Sequence, residues 1–122
     1  MGNDGKAGGR PPPPEIPADF RLDGFADFLI YERGLARRTA DAYLSDCRAL
    51  ALFALANGCS GPGEVDYECL RLYLADLTEK GLSGSSVARR RASMRTYFSF
   101  LVEEGDLRED PTDRLEAPRV SR

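Results

Sequence analysis

The sequence has no histidine. That absence removes the commonest general base, the commonest metal ligand and every Ser–His or Cys–His pair. A carboxylate enzyme would remain open, but no motif for one is present. Catalysis by this chain alone is therefore not expected, and no cofactor is implied. Cysteine is scarce. Cys47, Cys59 and Cys69 are odd in number, scattered, and never form a CxxC pair. They point to neither a disulfide framework nor a zinc site, and read as small residues of a reduced interior. No apolar run approaches the ~20 residues that span a bilayer. The N-terminus has no apolar signal-peptide core. These absences predict a cytoplasmic chain with no membrane partner.

What is present fits one domain. The chain has 122 residues, 42% of them apolar and 30% charged, with a formal charge of −3. Residues 1–18 are rich in Gly and Pro, with Ile16 the single large aliphatic residue, so they are read as a disordered tail. Pro11 to Pro14 favour a short polyproline II stretch, either an SH3-type ligand or part of a flexible leader.

From Asp19 the apolar spacing becomes helical. Four helices are predicted, over about residues 20–33, 37–57, 67–80 and 84–104. Gly34, Gly58, Gly81 and Gly105 stand at their stops, and Asp66 and Ser83 stand as caps of the third and fourth. The second helix has Ala40, Tyr43, Cys47, Leu50 and Ala54 on one stripe, and the third has Leu70, Tyr73, Leu74 and Leu77. Pro111 and Pro118 end the helical pattern. No segment alternates with period two for long, so no strand is predicted. The fold class is all-α, a compact bundle of four main helices. A weak internal echo links "ERGLARRTADAY" from Glu32 with "EKGLSGSSVARR" from Glu79, an offset of 79 − 32 = 47 residues.

The fourth helix raises the functional question, because "SSVARRRASMRTYFSFL" concentrates positive charge in an acidic chain. Laid out at 100° per residue, Val87, Met94, Phe98 and Leu101 face the core. Ser85, Arg89, Ala92, Ser93 and Thr96 then lie outward, while Arg90, Arg91 and Arg95 fall nearer the core stripe with their stems over apolar surface. Small residues beside a long base suit a helix that approaches a surface closely. The major groove of B-DNA admits a helix, and a helix start with free N–H groups attracts phosphate. Arg37, Arg38, Asp41, Ser45 and Arg48 lie on the outer face of the second helix, with Thr39 in its first turn. Fifteen of the seventeen basic residues are arginine, a preference that genome composition can also produce. Charge runs are also common on merely solvated faces.

"GLARRTADAYLSDCRAL" resembles the "GLS-x-x-T-x-x-x-Y-x-x-D-hydrophobic" stretch of tyrosine recombinases of the phage-integrase and Xer type. "YLADLTEKGLSGSSVARRRASMRTYFSFLVEEGDLREDP" is similar to the stretch that follows there, a "YL-x-x-L-x-x-x-GLS-x-x-S" segment, an "R…S-x-x-R-x-[FY]-[FY]-x-[FY]-L" helix, then "EG" and "DP". The resemblance runs from about Phe20 to Pro118. It implies the SAM-like N-terminal core-binding domain, one jaw of a clamp on duplex DNA, over residues 19–110. Residues 111–122 would then begin the interdomain linker, and the catalytic jaw would lie beyond it. By position, the resemblance implies DNA contacts from Arg37, Arg38, Thr39, Ala42, Ser45 and Arg48, and from Ser85, Ser86, Arg89, Arg90, Ser93 and Arg95. It further implies other recombinase subunits as partners in a synaptic complex, with the first helix contributing to those contacts. The chain departs from the pattern at Ala36, where a capping Ser is usual, at Arg91, where an apolar residue is usual, and at Ala92, where Ser is usual. Two other readings compete: a SAM- or death-domain-like interaction module docking an acidic partner, and an excisionase- or repressor-like accessory protein.

Overall fold

The computed structural model describes residues 15–115. Helix α1 covers Leu22–Asp27 and continues as a π-helical turn over Phe28–Glu32; α2 is Arg37–Ala56, α3 is Tyr67–Glu79 and α4 is Gly84–Glu103. Short 3-10 turns at Ala18–Phe20, Pro62–Glu64 and Pro111–Arg114 join or flank them. The described residues contain no strand. The all-α, four-helix architecture is as the apolar spacing predicts, with boundaries within two residues of those expected.

The helix ends follow from local chemistry. Asp66 accepts a hydrogen bond from the amide of Cys69 at 2.9 Å and caps α3, and Ser83 accepts from the amide of Ser86 at 3.2 Å and caps α4. Ala36 can make no such bond, so α2 starts uncapped. At the other end of α4, Gly105 takes a φ of +83° that a side chain would disfavour. The chain then turns back and the amide of Asp106 donates to the carbonyl of Leu101 at 2.9 Å.

The core lies between α2, α4 and the elements that wrap them. Phe20, Phe25, Leu29, Leu50, Leu70, Met94, Tyr97, Phe98 and Leu101 are each at most 2% exposed. Phe25 meets the edge of Tyr97 at 5.2 Å between centroids and tilts against Phe100 at 5.6 Å. The hydroxyl of Tyr97 donates to the carbonyl of Phe20 at 2.7 Å, so the Ala18–Phe20 turn is clasped to α4. Burial and this bond both favour the neutral phenol, and burial pushes its pKa far up. Arg21 sits in the left-handed region, φ +57°, and reaches Asp106 at 2.7 Å and Glu104 at 3.4 Å while lying over the Phe100 ring. Those contacts hold a backbone conformation that a non-glycine residue rarely adopts.

The termini refine the sequence-based boundaries. Residues 1–14 of the expected tail and 116–122 of the expected linker lie outside the described residues. Within the described part, Ile16 packs against the core. Thr112 and Leu115 are buried, and both guanidinium ends of Arg95 donate to backbone carbonyls there, those of Thr112 and Leu115. The Pro111–Arg114 turn is thus pinned to α4. The three cysteines are free, Cys47 and Cys69 buried and Cys59 half-buried.

Candidate nucleic-acid interface

Helices α2 and α4 are each 20 residues long, about 30 Å at 1.5 Å per residue. Near the middle of both helices Asp46 bonds Arg89 and Ser93 and Cys47 donates to the carbonyl of Ser93, while beyond their ends Ser60–Gly63 and Asp106–Leu107 line one cleft, with Gly63 against the Leu107 side chain. The middles of the two helices thus meet, and so do the segments that follow them, so the two run in the same sense. The Asp46–Ser93 pair has a separation of 47 residues, the offset of the internal echo. Each helix begins nine residues before that pair (46 − 37 and 93 − 84). Both starts therefore emerge at the same end of the bundle.

These two starts differ electrostatically from the others. Helices α1 and α3 carry Asp23 and Glu68 in their first turns, where an acid compensates the positive end of the helix dipole. Neither α2 nor α4 has an acid there. Helix α2 places Arg37 and Arg38 at that end, both exposed, which the dipole disfavours by about 0.3–1 kcal/mol each. Thr39 is exposed beside them, with Ala42 half-buried and Ser45 exposed one and two turns on. On α4, Ser83, Ser85 and Ser86 form a hydroxyl cluster with Oγ–Oγ separations of 3.1–3.2 Å, and Ser85 is exposed. The arrangement offers free amides, hydroxyls and guanidinium groups to an anionic surface.

The remaining expected residues have other employment. Arg89 donates from Nε to Asp46 Oδ2 at 3.0 Å and from Nη2 to Oδ1 at 2.5 Å, yet its side chain is 50% exposed. The hydrogen bonds to Asp46, and then its charge, hold the Arg89 guanidinium more firmly protonated than usual. Arg90 is half-buried, its Nε 3.1 Å from Asp46 Oδ1 and its Nη1 donating to Tyr73 Oη at 2.7 Å. Burial pushes the Tyr73 phenol up, against the pull of Arg90. Ser93 is fully buried, a correction to its outward placement on the helical wheel. The wheel assumed one narrow apolar stripe, but α4 is packed by α2 on that side as well, and a small hydroxyl fits where Asp46 and Cys47 press in. Arg95 holds the C-terminal turn. Arg48 is exposed, but lines a cleft with Ile16, Arg21 and Asp23, three turns beyond the α2 start.

Sequence reasoning missed Asp46, whose side chain is 3% exposed. A signal existed. Asp46 stands three residues after Tyr43 and four before Leu50, on the apolar stripe of its own helix. A carboxylate in that register needs a cation, and the arginine run of α4 supplies two.

Residues 22–105 match the model of the phage integrase N-terminal SAM-like domain. The chain belongs to this family. Among its relatives, a tyrosine recombinase XerD of Bradyrhizobium diazoefficiens is 37% identical over 107 residues, 87% of this chain and 33% of the relative. A XerD of Listeria monocytogenes is 33% identical over 80% of this chain and 33% of the relative, and a XerC of Roseiflexus castenholzii is 31% identical over 84% and 32%. The chain thus spans about a third of the length of these relatives. No solved structure matches it. As a SAM-like integrase domain, it has no described helix long and apolar enough to cross a membrane.

Proposed function

We propose that this SAM-like domain binds duplex DNA as the N-terminal jaw of a tyrosine recombinase, and that breaking and rejoining of strands is the work of residues outside these 122. One observation carries the reading: α2 and α4 start at the same end of the bundle, without acids, with Arg37, Arg38, Thr39, Ser85 and Ser86 around them. The Xer relatives support it by name. The lack of histidine supports a binding role rather than a cutting one for this chain. Arg89 takes part through the half of its guanidinium that Asp46 leaves free, while Ser93 and Arg95 act from within by fixing the helix and the turn behind it. Arg90 does both, anchoring on Asp46 and Tyr73 beneath the surface. Other recombinase subunits are the proposed protein partners, with the exposed Tyr31 of the π-helical turn after α1 available to them. Such a protein works in the cytoplasm, where the DNA is.

The test is binding of a labelled duplex, followed by fluorescence anisotropy across salt concentration. Affinity should fall with salt, with a slope of about −0.9 per phosphate neutralised, and Arg38→Ala should reduce that slope by about one such step. Amide shifts on adding DNA should gather at the starts of α2 and α4. Shifts elsewhere, with an acidic peptide competing as well as DNA, would favour the interaction-module reading instead.

A further inference from the structure

A second cationic site lies on another face of α4. Arg89 and Arg90 turn toward Asp46, and Arg91, a further 100° around the helix, turns toward α3 and the C-terminal turn. There Tyr67, Arg71 and Leu74, one face of α3, meet Arg91, Arg114 and Leu115 around a cleft of about 390 Å³. Three of these six residues are arginines and none is acidic.

The three guanidinium groups are unequally satisfied. Arg71 is held by Glu68, at 3.1 Å from Nε and 2.5 Å from Nη2, which leaves Nη1. Arg114 lies over the Tyr67 ring at 4.4 Å, a contact that uses its face and leaves its N–H edges. Arg91 makes no ion pair among the described residues, and its buried Nε has no hydrogen-bond partner. Like charges around a shared cleft repel, and an unpaired buried donor is costly. Both costs are offset if one oxyanion bridges the three forks. Leu74 and Leu115 give the cleft an apolar wall, which strengthens such bonds. Arg95, by holding the carbonyls of Thr112 and Leu115, fixes the segment that carries Arg114.

We propose that the cleft between α3, α4 and the Pro111–Arg114 turn is a binding site for a phosphate-type oxyanion. Arginine forks match the tetrahedral oxygens of phosphate and can each donate two bonds to it. The phosphate belongs either to a nucleic-acid backbone or to a free phosphate-bearing molecule. The site goes beyond the proposed DNA contacts of the helix starts and stands without them.

The experiment titrates inorganic phosphate into the ¹⁵N-labelled 122-residue chain at constant ionic strength, reading backbone amides and arginine Nε–H signals. Saturable shifts should appear at Tyr67–Leu74, at Arg91 Nε–H and at Arg114. Arg91→Met should abolish saturation, and Arg114→Ala should weaken it by about tenfold, as loss of one charge-assisted fork predicts. If Arg91→Met does not fold, Arg114→Ala decides alone. Three results would overturn the site: shifts spread over all arginines without saturation, unchanged isotherms in the variants, or binding that emerges only in Glu116→Gln. The last would mean that the chain's own carboxylate is the occupant. A duplex arm separates the two sources. A salt slope lowered by about 0.9 in Arg91→Met assigns the phosphate to nucleic acid. An unchanged slope with lost inorganic-phosphate binding assigns it to a free molecule. If the unmodified chain binds no duplex, the DNA reading fails while the phosphate titration still judges the cleft.

Discussion

Asp46 and Arg89 join α2 to α4 through two hydrogen bonds, of 3.0 and 2.5 Å, with the carboxylate buried and the guanidinium half in solvent. Arg90 and Ser93 complete the ring around the same carboxylate. The pair fixes the register of the two helices whose starts form the proposed DNA surface.

Removing the carboxylate should therefore matter twice. Asp46→Ala leaves Arg89 without its two-point acceptor and the half-buried Arg90 without its counter-ion, while Ser93 Oγ keeps the carbonyls of Arg89 and Arg90. A fully buried broken pair costs about 3–5 kcal/mol, and the exposure of Arg89 reduces this to about 2. Urea unfolding measures the loss. A variant as stable as the parent would show that the pair contributes only orientation. In that event duplex affinity should still fall, since α2 and α4 lose their common pin.

The uncapped start of α2 predicts a gain. Ala36 already has extended backbone angles, φ −60° and ψ 149°, as a cap residue requires. Ala36→Ser should stabilise the domain by about 1 kcal/mol. Thermal unfolding reads this directly, and no rise in midpoint would mean that the serine cannot reach the amides of the first turn.

Arg95 predicts a local effect. Its guanidinium is the tie between α4 and the final turn. Arg95→Ala should cost about 1–3 kcal/mol and speed amide exchange at Thr112 to Leu115 while leaving mid-α4 protected. Equal exchange in both proteins would show that Leu115 packing alone holds the turn.

The thiols predict a response to alkali. Burial, then the neighbouring Cys59, pushes the Cys69 thiol from its ordinary 9.0 to about 11. Between those values the unfolded chain has lost the proton that the folded chain keeps. Stability should be full below about pH 9 and fall as pH rises toward 11, with a slope of at most about 1.4 kcal/mol per pH unit for this group. Cys47, pushed up chiefly by burial, acts in the same direction. Urea midpoints across this range should decline less steeply in Cys69→Ala, and an identical decline would clear Cys69 of any part in it.

The helices were legible because their stops and caps are local. Gly105 and Asp66 act within a few residues of where they stand, so spacing alone reveals them. The stripes of α2 and α3 were legible for the same reason. The surroundings of α4 were not. Ser93 looked outward because a helical wheel knows nothing of a second neighbour, and the fate of Arg89 depends on an acid 43 positions away. The outer positions of Arg37, Arg38 and Ser85 needed no such partner, and the wheel placed them in solvent, where they are.

The clasp from Tyr97 to Phe20, together with the Arg21–Asp106 bridge, has a mechanical consequence. The Ala18–Phe20 turn is fastened to α4, and Arg21 beside it directly to Asp106 just after that helix. A tug between the two ends of the domain would load that short fastening first. Helix α2 makes neither of these two contacts, so its arginine-bearing start would keep its shape while the domain is hauled by its neighbours.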